Sequence, residues 1–244
     1  MRADGRTEMG HDQLDIRNRL EEIRRESSLD LLGVADTGRA SRVFQELSSA
    51  VGDKLTRAIV VVARVSPSVL GTLVDGPNLL YYHHYRQLNF QLDRGALRMA
   101  REIERMGYAA LPIAASQVVD WATMRGHVSH REMAHLAGLG WWGRNNLLIT
   151  GQWGAQVRLA TVLTDLPLDP GSPSSAGCGD CQLCLSVCPA GAVKREPQEF
   201  DREACYQQLK EFSKARRIGQ YVCGLCIKAC SGSIRGGEGS TSKE

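Results

Sequence analysis

Two different periods of hydrophobic and polar residues run along this chain. Between Gln13 and Glu26, Leu14, Ile16, Leu20 and Ile23 form an imperfect helical stripe among charges. Ala58 to Val65 (AIVVVARV) is β-branched and nearly continuous, which predicts a buried strand. The helical period returns from Tyr85 to Met106, with Leu88, Leu92, Leu97, Ile103 and Met106 among its apolar positions. Gly107 then supplies a stop, and Ala109 to Ala114 predicts a strand. Ser129 followed by Glu132 has the form of a capping box, so a short helix is expected after Ser129. Asn146 to Thr150 and Val157 to Leu163 predict two strands joined through residues 151–154. Helices and strands therefore mix through residues 13–165, giving an α/β or α+β domain within an α+β chain.

Composition narrows the class without naming a chemistry. The chain has 244 residues, 43% hydrophobic and 23% charged, which is globular composition. Thirty Lys and Arg against 27 Asp and Glu leave a net charge of +3, too small a surplus to indicate a nucleic-acid binder. The longest aliphatic run, Ala58 to Ala63, falls far short of the ~20 residues that span a bilayer. The opening MRADGRTEMGHDQ has no apolar h-region. A soluble, cytoplasmic protein without membrane contact is expected. Residues 1–12 are polar and expected to be disordered. Asp165 to Gly177 (DLPLDPGSPSSAG) is rich in Pro, Gly and Ser, so residues 166–177 are expected to link residues 13–165 to a second domain over 178–231, with a polar tail at 232–244.

All eight cysteines lie between Cys178 and Cys230. Without an export signal, thiols confined to one end of a chain point to metal ligands rather than a disulfide framework. Cys178-x2-Cys181-x2-Cys184-x3-Cys188-Pro189 is the bacterial ferredoxin run. A second group, Cys205 and then Cys223-x2-Cys226-x3-Cys230, has the same ending. In such runs the fourth cysteine serves the other cluster. Exchanging the fourth ligands assigns Cys178, Cys181, Cys184 and Cys230 to one [4Fe-4S] cluster, and Cys188, Cys205, Cys223 and Cys226 to another. Two structural zinc sites are the alternative, since four thiolates also suit tetrahedral zinc. Paired clusters carry single electrons, so an external one-electron donor is implied.

Gly138-Leu-Gly140-Trp-Trp-Gly143 matches G-x-G-x-x-G, but a helical stretch precedes it and a strand follows. The dinucleotide fingerprint requires the reverse order. These glycines mean close backbone approach, either to packed chain or to a flat cofactor, which Trp141 and Trp142 could wall. Taken with GAQVRLATVLTDLPL and CGDCQLCLSVCPAGAV, the block HLAGLGWWGRNNLLIT resembles the epoxyqueuosine reductase and reductive dehalogenase superfamily over about residues 80–232. The resemblance implies a nitroreductase-like cobalamin-binding α/β domain followed by a ferredoxin-like domain with two [4Fe-4S] clusters. It places Gly138, Gly140, Trp141, Gly143, Arg144 and Asn145 against the corrin as cofactor-binding residues. It also implies electron flow from a flavodoxin or ferredoxin through both clusters to cobalt and then to a substrate.

Epoxyqueuosine reductases carry V-D-T-G-P-V-L-E-R before the glycine loop, with an aspartate thought to protonate the substrate. Ungapped counting puts Met124 at that place, in TMRGHVSHR, and Asp120 could substitute only after a four-residue insertion. Reductive cleavage needs a proton donor, and His130, Arg131 and Tyr85 are the candidate catalytic residues. The alternatives are that His130 caps or packs the short helix and that Tyr81, Tyr82, His83, His84 and Tyr85 form an amphipathic rim, and His127 is expected to be solvated. Lys194 to Arg217 holds seven positive and five negative residues, a solvated face that could dock an acidic electron donor. The expected function is a cobalamin- and [4Fe-4S]-dependent reductase of a small or nucleoside-like substrate, with tRNA an improbable partner. The rivals are an electron-transfer or activating protein for a corrinoid partner, and a shortened tRNA epoxyqueuosine reductase.

Overall fold

The computed structural model describes residues 5–40, 47, 52–216 and 218–232. Helix α1 spans Gly5–Glu26, so residues 5–12, expected to be irregular, continue the predicted helix toward the N-terminus. The expected disorder of residues 1–4 and 233–244 lies outside the described residues. Strand β1 (Leu31–Asp36) precedes β2 (Arg57–Arg64), and a short α2 (Pro67–Gly71) starts at a Ser66 cap. The long helix α3 runs Leu79–Arg105, starting six residues earlier than its hydrophobic period indicates. Asn78 sets that start, because its side chain accepts from the Tyr81 N–H at 2.8 Å.

Next come β3 (Ala110–Ile113), α4 (His130–Leu136), β4 (Trp141–Trp142), β5 (Leu148–Ile149) and β6 (Val157–Thr164). The expected capping residue holds α4, with the Ser129 hydroxyl accepting from the Glu132 N–H at 3.3 Å. The cysteine-bearing segment adds α5 (Leu183–Ser186), α6 (Arg202–Arg216) and α7 (Leu225–Lys228).

The main sheet has the order β1-β2-β6-β3, and every pairing is antiparallel. This settles the mixed domain as α+β rather than parallel α/β. The two strands expected around residues 151–154 do not pair with each other. Instead β5 pairs with β4, while β6 runs between β2 and β3. The continuous apolar run of β2 has a direct cause: Ile59, Val61 and Ala63 pack toward α1 and α3, while Ala58, Val60 and Val62 pack toward α4. A central strand covered on both faces has no polar positions to show.

Residues 166–177 have no regular structure, yet they are strapped to the sheet. Leu166 and Leu168 are buried. The Gly171 N–H donates to the Val34 carbonyl at 2.8 Å, and Arg57 Nε donates to the Leu168 carbonyl at 2.7 Å. Among the described residues no helix is long and apolar enough to cross a membrane.

The packing makes a stability prediction. Met99 is fully buried under the sheet, whereas Leu97 is 43% exposed on the same helix. Met99→Ala should cost about 2–5 kcal/mol, and Leu97→Ala should stay within about 0.5 kcal/mol. Urea midpoints of the two variants measure the difference.

Candidate functional site

The cysteine segment folds its thiols into two neighbouring sets. Cys184, on α5, lies within electrostatic reach of Cys178, Cys181 and Cys230. Cys226, on α7, lies within reach of Cys188, Cys205 and Cys223, and the two sets meet at Cys226 and Cys184. Burial, reinforced by neighbouring thiols, pushes Cys184 and Cys205 each up to about 11 and raises Cys226 further. Cys223 and Cys230 are also raised, chiefly by burial. Four thiolates can share such a site only if a cation compensates their charge. Ligands around tetrahedral zinc stand about 3.8 Å apart at the usual Zn–S bond length. Among the described residues no three Cys, His, Asp or Glu side chains are gathered to hold a single ion.

The segment is anchored largely through its own carbonyls. Arg144 donates to the carbonyls of Cys181 and Gly179, both at 2.8 Å, and also to that of Arg195. The Ala155 N–H reaches the Cys230 carbonyl at 3.2 Å, and the Gln156 side chain reaches that of Lys228 at 3.1 Å. Between Cys223 and Cys226, Gly224 adopts φ +89°. A Cβ there would stand 2.7 Å from Leu73 and 2.8 Å from Tyr81, so only glycine lets this turn close against α3.

The docked segment closes a cavity of about 800 Å³. One wall carries Cys188, Cys205, Cys223 and Cys226, while the first thiol set is not among the lining residues. The opposite wall is built by Tyr81 and Tyr85 of α3, the 122–133 loop and helix, residues 145–148, and Arg158 of β6. Cys181 of the first set is exposed, beside Leu183 at 60% exposure.

Tyr85 is buried, and its hydroxyl lies 2.6 Å from Ser116 Oγ. The Arg158 guanidinium lies 4.2 Å from the Tyr85 ring centre and donates to Asn89 Oδ1 at 3.0 and 3.2 Å. Burial alone raises this phenol, but Arg158 and hydrogen bonds from Ser116, Gln220 and Asn89 outweigh it, bringing Tyr85 below its ordinary value. Tyr81 moves the other way, raised mainly by burial. The rest of the expected aromatic rim divides by helical position. His84 Nε2 accepts from the Ser66 N–H at 3.0 Å, and Tyr82 lies under Arg86.

His130 lines the cavity with both ring nitrogens engaged. Its Nε2 lies 3.0 Å from the Ala114 carbonyl, which can only accept, so the proton sits on Nε2. Nδ1 then accepts from the Thr161 hydroxyl at 2.8 Å. Burial, with Arg158 and Arg131 nearby, lowers His130 to about 4 despite its Ala114 bond. The ring is therefore neutral near pH 7 and holds α4 to the sheet, so it does not bring a charged acid to the cavity. Arg131 also lines the cavity, where it donates to the Asn146 carbonyl and lies 5.6 Å from the Trp142 ring centre.

Of the glycine-loop residues, the structure brings Asn145 to the cavity wall. Gly138 packs on the Ser172 carbonyl. At Gly140 a Cβ would stand 2.1 Å from the Ile149 carbonyl, and Gly143 packs on Ile149. Trp141 is buried with Ile149, Ala155, Cys178 and Cys230, and Arg144 clamps the cysteine segment. Of the two approaches open to these glycines, the one seen is packed chain. Asn145 is 4% exposed, and its Nδ2 has no partner among the described residues.

Met124 lines the cavity with φ +54°. Asp120 is absent from the lining, and its carboxylate is taken by Ala122, Thr123 and the Thr123 hydroxyl. His127 lines the wall as well. Sequence reasoning missed Arg158 and Arg125. The available signal for Arg158 was an arginine inside the apolar run VRLATVLT.

The state of His130 is directly measurable. Nitrogen-15 spectra of histidine-labelled protein should show its ring neutral, protonated at Nε2, from pH 8 down to 5.5. Because its folded value lies below the unfolded one, its contribution to stability is full above about pH 6.5 and declines as the pH falls toward about 4.

No family model matches the chain. An epoxyqueuosine reductase of Listeria monocytogenes is 34% identical over 113 residues, covering 43% of this chain and 30% of the relative. One from Gloeobacter violaceus is 36% identical over 120 residues, covering 45% and 37%. The matched part is thus about a third of these curated relatives' length. Among solved structures, the epoxyqueuosine reductase of Streptococcus thermophilus aligns with a TM-score of 0.63 at 18% identity, covering 94% of this chain and 69% of that one. A catabolic reductive dehalogenase in complex with 3-bromo-4-hydroxybenzoic acid aligns at 0.68 and 19% identity, covering 89% and 32%. Over its matched part the chain is similar in sequence to epoxyqueuosine reductases, and over most of its length it shares the fold of an epoxyqueuosine reductase and a reductive dehalogenase.

Proposed function

We propose that this protein is a reductase whose eight cysteines hold two [4Fe-4S] clusters and whose cavity holds a cobalamin. The observation that carries the reading is the placement of the two thiol sets: one lines the cavity, and the other reaches solvent at Cys181. Residues 178–231 then act as a ferredoxin-like module docked on a nitroreductase-like domain. Cys178, Cys181, Cys184 and Cys230 hold the outer cluster, and Cys188, Cys205, Cys223 and Cys226 hold the inner one. The unpartnered Asn145 Nδ2 suits a side-chain amide carbonyl of the corrin, and the cavity volume lies in the upper range of ligand sites. Bound there, cobalamin would supply a redox-active cobalt able to take up single electrons and pass reducing equivalents to the substrate.

The chain's own residues provide the rest. Tyr85 Oη holds a proton at the cavity wall, and Arg158 and Ser116 stabilise the phenolate left when it departs. Arg131 fixes the backbone at Asn146, and His130 fixes α4. An external one-electron donor, a flavodoxin or ferredoxin, docks near Cys181, where Lys194 and Arg195 are exposed and favour an acidic partner.

A second reading, tRNA epoxyqueuosine reduction, draws support from the names of the curated relatives. Against it stands Met124 on the cavity wall where those enzymes are expected to carry aspartate. Restored queuosine in a deficient strain supports the second reading, and failure in an expressing, iron-replete strain removes it.

The primary test is anaerobic iron loading, titration with hydroxocobalamin, and EPR after dithionite. About eight iron atoms per chain are expected, with stoichiometric corrin binding and a cob(II)alamin signal. Cys226→Ser should lose about half the iron, and Asn145→Leu should weaken corrin binding by roughly five- to tenfold. Full iron without corrin binding would leave an electron-transfer or activating protein in its place.

A further inference from the structure

We propose that the substrate reduced in this cavity is a small molecule bearing an anionic group, a carboxylate or a phosphate, and that Arg125 receives that group. The inference rests on reading the cavity as a substrate site, and adds to it a substrate class and a residue that selects it.

Arg125 is held in place by its backbone. Its carbonyl accepts from the Val119 N–H at 2.8 Å and the Asp120 N–H at 3.0 Å, and its own N–H donates to the Asp120 carbonyl at 3.0 Å. The side chain lines the cavity, where its Nε is buried with no partner among the described residues. A buried donor left without an acceptor costs about 1–3 kcal/mol, and more when it belongs to a charged group. A ligand oxygen removes that cost, and a negatively charged one removes it best.

The nearby Asp120 carboxylate lies within electrostatic reach of Arg125 but makes no hydrogen bond to its Nε. It already accepts from Ala122 N at 2.9 Å, Thr123 N at 3.2 Å and the Thr123 hydroxyl at 2.6 Å. Two further cavity arginines already have acceptors: Arg158 bonds Asn89, and Arg131 bonds the Asn146 carbonyl. The lining as a whole holds Arg125, Arg131, Arg158 and Arg202 against Glu132 and Glu203. Met124, adjacent to Arg125 and also lining the wall, brings no charge to oppose an anion. A planar guanidinium takes a carboxylate or phosphate through two parallel bonds, whereas a neutral ligand leaves the buried Nε without a charged acceptor.

Calorimetry on the full chain, loaded with iron and cobalamin, tests this with three probes: benzoate, inorganic phosphate and the neutral isostere benzamide. At least one anion should bind saturably and at least tenfold tighter than benzamide, and the preferred anion identifies carboxylate or phosphate as the class. Arg125→Met should weaken that anion at least tenfold, and Arg125→Lys should recover part of the loss, with iron content unchanged and melting temperature not lowered in both. The proposal is overturned if neither anion saturates, if benzamide binds equally well, or if Arg125→Met binds the anion as tightly as the parent. Failure of the cavity reading is separate: it appears as missing cobalamin in the EPR spectrum, and anion binding is still read on the iron-loaded chain.

Discussion

Strand β6 is buried between two neighbours and covered on both faces, and the site depends on that double burial. The pleat sends alternate residues to opposite sides. Arg158 therefore faces α3 and meets Tyr85, while Thr161 faces α4 and meets His130. One strand thus meets a phenol on one face of the sheet and a neutral imidazole on the other. Pairing with both β2 and β3 fixes the register, and a slip of one residue would exchange every such contact.

Charge is the second constraint. The same segment that buries two sets of thiols also closes the cavity wall, so its stability and the site's chemistry are coupled. Thiols pushed upward by burial and by one another remain protonated without a cation, and a bound metal would reverse that balance. Gly224 brings this coupling to α3, because its left-handed turn lets the second thiol set lie against Tyr81.

Much of this was legible in the sequence, for identifiable reasons. Cysteine spacing is local, so the two runs could be read without knowing the fold, and Ser129 with Glu132 announced α4. The start of α3 was misplaced because Asn78, not the hydrophobic period, sets it. The glycine loop is a different case: Gly138, Gly140 and Gly143 pack on Ser172 and Ile149, while Asn145 of the same loop reaches the cavity wall. Arg158 owes its role to Asn89, 69 positions away, and to Tyr85, while Arg125 owes its own to the lack of an acceptor at Nε, and neither condition leaves a trace in local sequence.

The proline-rich stretch at 166–177 lies against the sheet rather than swinging free, and Cys230 at the far end of the cysteine segment returns to Ala155. The thiols thus lie on a loop tethered at both ends. Tethering replaces a search through solution by a high local concentration of each thiol around the others. On the proposed reading, metal uptake would act on a loop whose two ends the fold has already brought in, so part of the entropy of closing it would be met before the metal arrives.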